Sequence, residues 1–416
     1  MKQLIPIEAI EKAASNIRDV AFETPLMFNL NQSQKWGANV YFKREDLQQV
    51  RSYKIRGAYN KISALTAAEL NRGVVCASAG NHGQGVALSC SRKKVHGVIF
   101  MPVPTPKQKV EQVKMFGGSF VEVILSGDTF DDAYEAALEH CESEGLTFIH
   151  PFDDEKVIEG QGTIGLELLK QSKSTIDYLF VPVGGGGLAA GIVSVFSKLS
   201  PETKIVGVEP AGAPSMSSAV SAGKTVRLEQ IDKFIDGASV QQVGETNFQI
   251  CRNTLHNMVT VEEGKVCQTI LDLYNRDAMV VEPAGAMSVA VLEKYKAELV
   301  GKTVVCLISG SNNDVTRTEE IKERALLHAG LKHYFIVRFP QRAGALNSFI
   351  RNVLGERDNI THFEYSKKHN RNSGPAVVGV ELEEASDLTG LKKRMKEYNF
   401  FGEYLNDKPD LFEFLV

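Results

Sequence analysis

The chain has 416 residues, 43% hydrophobic and 24% charged, enough apolar material for two or three cored domains and incompatible with an intrinsically disordered chain. Lysine and arginine number 47 against 51 acidic residues, a net charge of -4, so there is no basic footprint for nucleic acid. No apolar run approaches the roughly 18 residues of a membrane span, and six scattered cysteines without a C-x-x-C pair make neither a disulfide framework nor a zinc motif. The opening Met1-Lys2-Gln3-Leu4 lacks the continuous apolar segment of a secretory leader. A cytoplasmic protein in reducing surroundings is expected.

The first element is an amphipathic surface helix, its pattern interrupted by Glu8, Glu11 and Arg18. Short β-branched runs follow at 39–45, 73–78, 95–102, 119–125 and 147–152, with helical patterns between them. After Asp128, for example, Phe130, Tyr134, Ala137, Leu138 and Cys141 fall on one helical face. Strands alternating with helices imply parallel sheet and right-handed crossovers, and strands apolar on both faces imply a sheet covered by helices. After a helix near 163–170 the alternation resumes, with strands expected at 178–183, 204–208, 278–281 and 303–309. Two open α/β sheets place a ligand cleft at the carboxyl ends of their strands.

The last stretch reads differently. Strands at 333–339, 360–366 and 376–382, helix stripes at 346–354 and 388–395, and a final strand at 403–405 or 411–416 make βαββαβ, a small antiparallel α+β unit. The charged helix at 318–327 reads as a connector. The expected division is an α/β unit over 1–322, with a smaller subdomain at about 55–152 within it, and a separate unit over 331–416.

Four segments carry chemistry. The first, Val183-Gly184-Gly185-Gly186-Gly187-Leu188, follows an apolar strand and opens an apolar helix. Glycine turns expose backbone N–H groups and a helix N-terminus favours an anion, so this reads as a phosphate cradle. No Lys-Ser/Thr follows it, so it is not a Walker loop. The second, Ser78-Ala79-Gly80-Asn81-His82-Gly83-Gln84-Gly85, also lies between strand and helix and could hold a carboxylate; a helix capped by Asn81 is the plainer reading. In the third, Ser52-Tyr53-Lys54-Ile55-Arg56-Gly57-Ala58, a lysine at a helix start has its pKa lowered and can form a Schiff base, although most lysines are solvated surface charges. The fourth, Ser309-Gly310-Ser311, ends a strand, where a hydroxyl can reach a ligand ring nitrogen.

With Tyr41-Phe42-Lys43-Arg44-Glu45 and Glu282-Pro283-Ala284-Gly285-Ala286, these segments resemble, in order and spacing, the fold-type II pyridoxal phosphate enzymes, and within them the biosynthetic threonine deaminases. The C-terminal βαββαβ resembles that family's ACT-like regulatory domain, in a single copy. The resemblance implies a catalytic domain over 1–322 and a regulatory one over 331–416. It implies Lys54 as the lysine that carries pyridoxal 5'-phosphate and moves the substrate's α-proton, with Gly184, Gly185, Gly186, Gly187 and Leu188 around the phosphate. Asn81 is then expected at the ring hydroxyl, Phe42 against the ring and Ser309 at the pyridine nitrogen. Ser78, Ala79, Gly80, Asn81 and His82 are expected around the substrate carboxylate. The implied reaction is deamination of L-threonine, with L-serine as a second substrate, to a 2-oxoacid and ammonia. Isoleucine and valine are the implied effectors, and a homotetramer the implied assembly. Serine racemases of the family carry a serine at the place of Ala79, and alanine cannot transfer a proton, so racemisation is disfavoured. The β-replacement relatives carry a threonine where His82 stands. Ser215 replaces the second acid that would pair with Glu209 around a divalent ion, so no divalent metal is expected, and Glu209 is left to cap a strand end or help hold a monovalent cation. An amino-acid sensor with a dead catalytic module is the rival reading of another class; the joint presence of Lys54, the glycines and Ser309 argues against it.

Overall fold

A computed structural model describes residues 4–365 and 373–415. The chain folds as two compact units, Met1–Thr316 and Arg317–Val416. Among the described residues no helix is long and apolar enough to cross a membrane.

The first unit holds two sheets. The larger has six strands in the order Leu26–Phe28, Asn39–Arg44, Thr303–Ile308, Tyr178–Pro182, Lys204–Pro210, Asn257–Val261. Its first pair is antiparallel and every later pairing is parallel. The smaller sheet is parallel throughout, in the order Val121–Leu125, Gly97–Met101, Val74–Ala77, Thr147–Phe148. Inner strands such as Tyr178–Pro182 and Gly97–Met101 are buried along their whole length, as helices on both faces require. Local signals set the helix ends. Thr129 and Asp132 form a capping box at the start of Phe130–Glu144, and Gly145 closes it in the left-handed region.

The helix Glu155–Gln171 is the internal strut of this unit. A Cβ on Gly160 would lie 2.5 Å from the Arg56 carbonyl oxygen, and one on Gly191 2.6 Å from the Gly162 nitrogen. Glycine therefore lets this helix approach both Lys54–Ser63 and Gly187–Leu199 at backbone distance, and so positions the two helix starts that the sequence singles out. A buried ionic cluster secures the first of them. Arg56 donates to both oxygens of Glu45, each at 2.8 Å, and to Glu167 at 2.6 Å, while Lys43 donates to Glu167 at 2.5 Å and to the Thr24 carbonyl at 2.6 Å. Two cations and two anions, all linked, tie strand Asn39–Arg44 to the helices Lys54–Ser63 and Glu155–Gln171.

Two strands of the larger sheet depart from expectation. Residues 278–281 are not a strand: Ala278, at φ +52°, ends the helix Glu263–Asp277, and Pro283 starts the next helix at once. The sixth strand is instead Asn257–Val261, and the antiparallel edge Leu26–Phe28 is an addition to the expected set.

The second unit is antiparallel, with strand order Asn359–Tyr365, Ser373–Glu381, Lys332–Pro340, Phe401–Tyr404 and helices Ala345–Asn352 and Asp387–Glu397. Chain order is thus βαββαβ. Phe335, Val337, Phe349, Val378, Val380, Leu391 and Met395 make its own core. The last strand matches the first of the two expected places; the second is a helix, Pro409–Leu415. Of the expected spans, Met1, Lys2, Gln3, Ser366 and Val416 lie outside the described residues. The helix Thr318–His328, expected as a connector, belongs to this unit: the Tyr334 hydroxyl on its first strand donates to Glu323 at 2.5 Å.

Candidate active site

Lys54 is the first residue of its helix, and no side chain caps that helix start. The preceding residues run along the end of strand Thr303–Ile308: the Tyr53 N–H donates to the Ser309 carbonyl at 3.1 Å, and Ser52 bridges Gly310. Lys54 and Ser309, 255 residues apart in sequence, are therefore neighbours. On the other side Gly85 lies against the Lys54 backbone, where a Cβ would sit 3.2 Å from the Lys54 carbonyl carbon. That contact brings the 78–85 loop alongside.

The Lys54 amine is buried and donates to the Pro151 carbonyl oxygen at 2.8 Å. Burial pushes it down to about 8, against a smaller opposing pull from Glu282. Two neutral histidines flank it. His82 Nε2 donates to the Ile149 carbonyl at 2.8 Å, and burial, with Lys54 adding to it, pushes the ring down to about 3. His150 Nδ1 accepts from the N–H groups of Phe152 and Asp153, and burial pushes it down to about 4. Neither competes for a proton with a lysine at about 8.

Facing Lys54 is the tetraglycine loop. One cavity is lined by Tyr53, Lys54, Phe152, Pro182, Gly184, Gly185, Gly186, Gly187, Leu188, Gly237 and Val240. Gly186 has φ +92° and precedes the helix Gly187–Leu199. A Cβ on Gly185 would come 2.3 Å from the Phe152 ring. The Gly185 carbonyl is drawn back into the protein, accepting from Asn247 Nδ2 at 2.8 Å and from the Gly244 N–H at 3.1 Å. Asn247 Nδ2 also donates to the Phe152 carbonyl at 3.0 Å, so one amide clamps the glycine loop to the segment that accepts from Lys54. The first N–H groups of a helix have no intrahelical acceptor and suit an anion. A desolvated amine across a cavity from such a loop fits an aldehyde that carries a phosphate.

Of the residues singled out in sequence, Lys54, the four glycines and Leu188 line this cavity together. Ser309 adjoins it through Tyr53, and Asn81 lies at the start of the helix Asn81–Lys93, donating from Nδ2 to Glu282 at 2.7 Å. Gly80, not Asn81, is the N-cap of that helix. The Ser78 hydroxyl accepts from the Gly80 N–H at 3.2 Å, so Ser78, Ala79 and Gly80 form one tight turn. Phe42 does not line the cavity. It is buried within the sheet, beside Met27 and Cys306 of the two neighbouring strands, with its side chain in the interior. Tyr53 and Phe152 supply the aromatic wall instead. Glu209 accepts from the N–H groups of Met216 and Ser217 at the start of helix Ser215–Ala222. Sequence reasoning missed Phe152, His150, Asn247 and the role of Glu282. Only Glu282 had a visible signal, in the quoted Glu282-Pro283-Ala284-Gly285 segment.

Residues 17–310 match the family described as pyridoxal-phosphate dependent enzyme, and residues 323–415 match the C-terminal regulatory domain of threonine dehydratase. The chain is 52% identical over 412 residues to a biosynthetic L-threonine dehydratase of Halalkalibacterium halodurans, covering 99% of each chain. It is 51% identical over 413 residues to the same-named protein of Bacillus subtilis, covering 99% of this chain and 98% of that one. Among solved structures it is similar to the processed form of threonine deaminase isoform 2 from Solanum lycopersicum. That likeness has a TM-score of 0.73 and 42% identity and covers 77% of this chain and 93% of that one.

Proposed function

The chain belongs to the pyridoxal-phosphate dependent enzymes, and we propose that within them it is a threonine ammonia-lyase, which converts L-threonine to 2-oxobutanoate and ammonia at the start of isoleucine synthesis. The observation that carries the site assignment is the buried Lys54 amine in one cavity wall with Gly184, Gly185, Gly186, Gly187 and Leu188. Names of relatives 52% and 51% identical over nearly the whole chain support the substrate.

Lys54 would hold the aldehyde carbon of the cofactor, the glycine loop its phosphate, Asn81 its ring hydroxyl and Ser309 its ring nitrogen. When bound, pyridoxal phosphate supplies a conjugated ring that accepts the electron pair left at the substrate α-carbon. Lys54 Nζ takes the α-proton: it is desolvated, flanked by neutral histidines and held at about 8, near the range where a general base works best. Ser78, Ala79, Gly80, Asn81 and His82 receive the substrate carboxylate, placing the α-proton toward the lysine. Threonine loses its β-hydroxyl as water, and the enamine so formed hydrolyses to 2-oxobutanoate and ammonia. A neutral serine at the ring nitrogen stabilises charge less than a carboxylate and favours prompt elimination over transamination.

Isoleucine and valine would act through the C-terminal unit, whose family match is a regulatory domain. L-Serine is the expected second substrate. Six free cysteines, five of them buried, suit reducing cytoplasm. Exposed Phe22, Met27, Phe28 and Leu30 beside the edge strand suit burial against another copy, in keeping with a homotetramer. The test is formation of 2-oxobutanoate and ammonia from L-threonine by the purified holoenzyme, titrated with isoleucine. A protein that binds pyridoxal phosphate but releases no ammonia from threonine would sink the assignment.

A further inference from the structure

We propose that Glu282 is a positioning residue of this site: its buried carboxylate holds the Asn81 side chain in one orientation and keeps a negative charge beside the Lys54 amine. The proposal rests on the placing of Lys54 and Asn81 in the cofactor site made above.

Glu282 immediately precedes the helix Pro283–Ala290 and is 4% exposed. Its Oε1 accepts from Asn81 Nδ2 at 2.7 Å, and its Oε2 accepts from the Asn312 N–H at 3.2 Å. Asn312 Nδ2 in turn donates to Asn81 Oδ1 at 2.6 Å and to the Val50 carbonyl at 2.9 Å. The Asn81 amide is thereby read at both ends. A flipped amide would set NH₂ against NH₂ and oxygen against carboxylate, so only one orientation is satisfied. One Asn81 N–H remains for a ligand, since a primary amide has two.

The backbone is fixed as well, the Glu282 N–H donating to the Gly310 carbonyl at 3.2 Å. Gly310 makes room for the carboxylate, since a Cβ there would come 2.3 Å from Oε1, and Gly237 lies alongside, where a Cβ would be in ordinary contact with Oε1 at 3.5 Å. Three separate stretches of chain, around residues 81, 237 and 310–312, converge on this one side chain.

Packing alone does not call for a carboxylate, because burying a charge is costly unless it is hydrogen-bonded. The charged and titratable groups that face Glu282 are Lys54 and Tyr53 on one side and Asp236 and Lys109 on the other, the last two joined as an ion pair at 2.5 Å. Burial, with Asp236 adding to it, pushes Glu282 up to about 7. It is therefore ionised above about pH 7 and neutral below. Once neutral it grips Asn81 less strongly and no longer favours the protonated form of Lys54.

The experiment uses the holoenzyme and its Schiff-base absorbance, followed across pH beside kcat for threonine. The wild type should show a transition near pH 7 in both. Glu282→Gln should lose that transition and lower kcat about 10–100-fold, as expected when a hydrogen bond to a charged group is lost. Glu282→Asp should restore the transition. Asn312→Ala, which frees Asn81 Oδ1, should lower kcat without moving it. Glu282→Gln with wild-type kcat and an unmoved transition overturns the proposal. If that variant does not fold, wild-type kcat in Asn312→Ala overturns it. The absorbance band reports on the cofactor site whatever the substrate. A Glu282-dependent transition in a protein that ignores threonine would support this role while sinking the threonine assignment.

Discussion

At the scale of single residues, the site turns on how far burial moves a proton. Lys54 sits at about 8 because its amine is desolvated, with Glu282 opposing. Lys54→Ala should lower turnover at least about 10²–10⁴-fold, the usual contribution of an acid/base group, and abolish the reducible Schiff base; ordinary activity in that variant would remove Lys54 from the mechanism. The same shift has a stability consequence in cofactor-free protein. The folded-state value lies below the unfolded one, so between about 8 and 10.5 the unfolded chain binds more protons and stability rises with pH. Urea midpoints of cofactor-free wild type should therefore climb across that window relative to Lys54→Met, and parallel curves would refute the shift. Arg56, two residues on, illustrates a buried cation with the opposite balance, since two carboxylates hold it charged. Arg56→Leu leaves Glu45 and Glu167 buried without it and should cost about 3–5 kcal/mol, read from the denaturation midpoint.

At the scale of elements, glycine decides what can approach what. A methyl group on Gly185 would overlap the Phe152 ring at 2.3 Å, so Gly185→Ala should destabilise the fold by about 1–3 kcal/mol and weaken cofactor retention, measured by equilibrium dialysis. Adding Phe152→Ala should recover part of the retention, and simple additivity of the two changes would argue against direct contact. The loop itself was legible in sequence because four consecutive glycines between a strand and a helix have few other uses. Its partners were not: Asn247 reaches the Gly185 and Phe152 carbonyls from 62 and 95 residues away, and the local bonds of His150 to the N–H groups of Phe152 and Asp153 say nothing in sequence of the cavity they border. Strand identity shows the same limit. Residues 278–281 carry a β-branched pair, but a left-handed helix end and a following proline leave no room for a strand. Asn257–Val261 takes the edge place beside Lys204–Pro210.

At the scale of the whole chain, the second unit has its own sheet and core, and the family match over 323–415 is a regulatory domain. Gly344, at φ +79°, starts the helix Ala345–Asn352 that follows the first strand of this unit. Isoleucine should weaken threonine use by roughly 5–150-fold, a coupling of about 1–3 kcal/mol, with threonine weakening isoleucine equally. A chain ending at Thr316, where the first unit closes, should stay active and ignore isoleucine. Ending it at Lys322 would instead cut the helix Thr318–His328, which packs in the second unit. Calorimetry showing no isoleucine binding to the full chain, with an unchanged threonine saturation curve, would end the feedback reading.

Sequence by itself determined what depends on neighbours along the chain. These are the alternation of apolar strands and helices, the βαββαβ period at the C-terminus, the glycine loop and the lysine at a helix start, each set by backbone sterics and local burial pattern. Tertiary structure alone decided which distant groups share a low-dielectric space. It placed Phe42 inside a sheet and Tyr53 and Phe152 at the cavity, because what packs around a side chain, and not its type, determines whether it meets a cavity. It also brought Glu282 to Asn81 and Lys54, since the energy of a buried charge is set by the donors and charges around it, and here the donors come from residues 201 and 30 positions away.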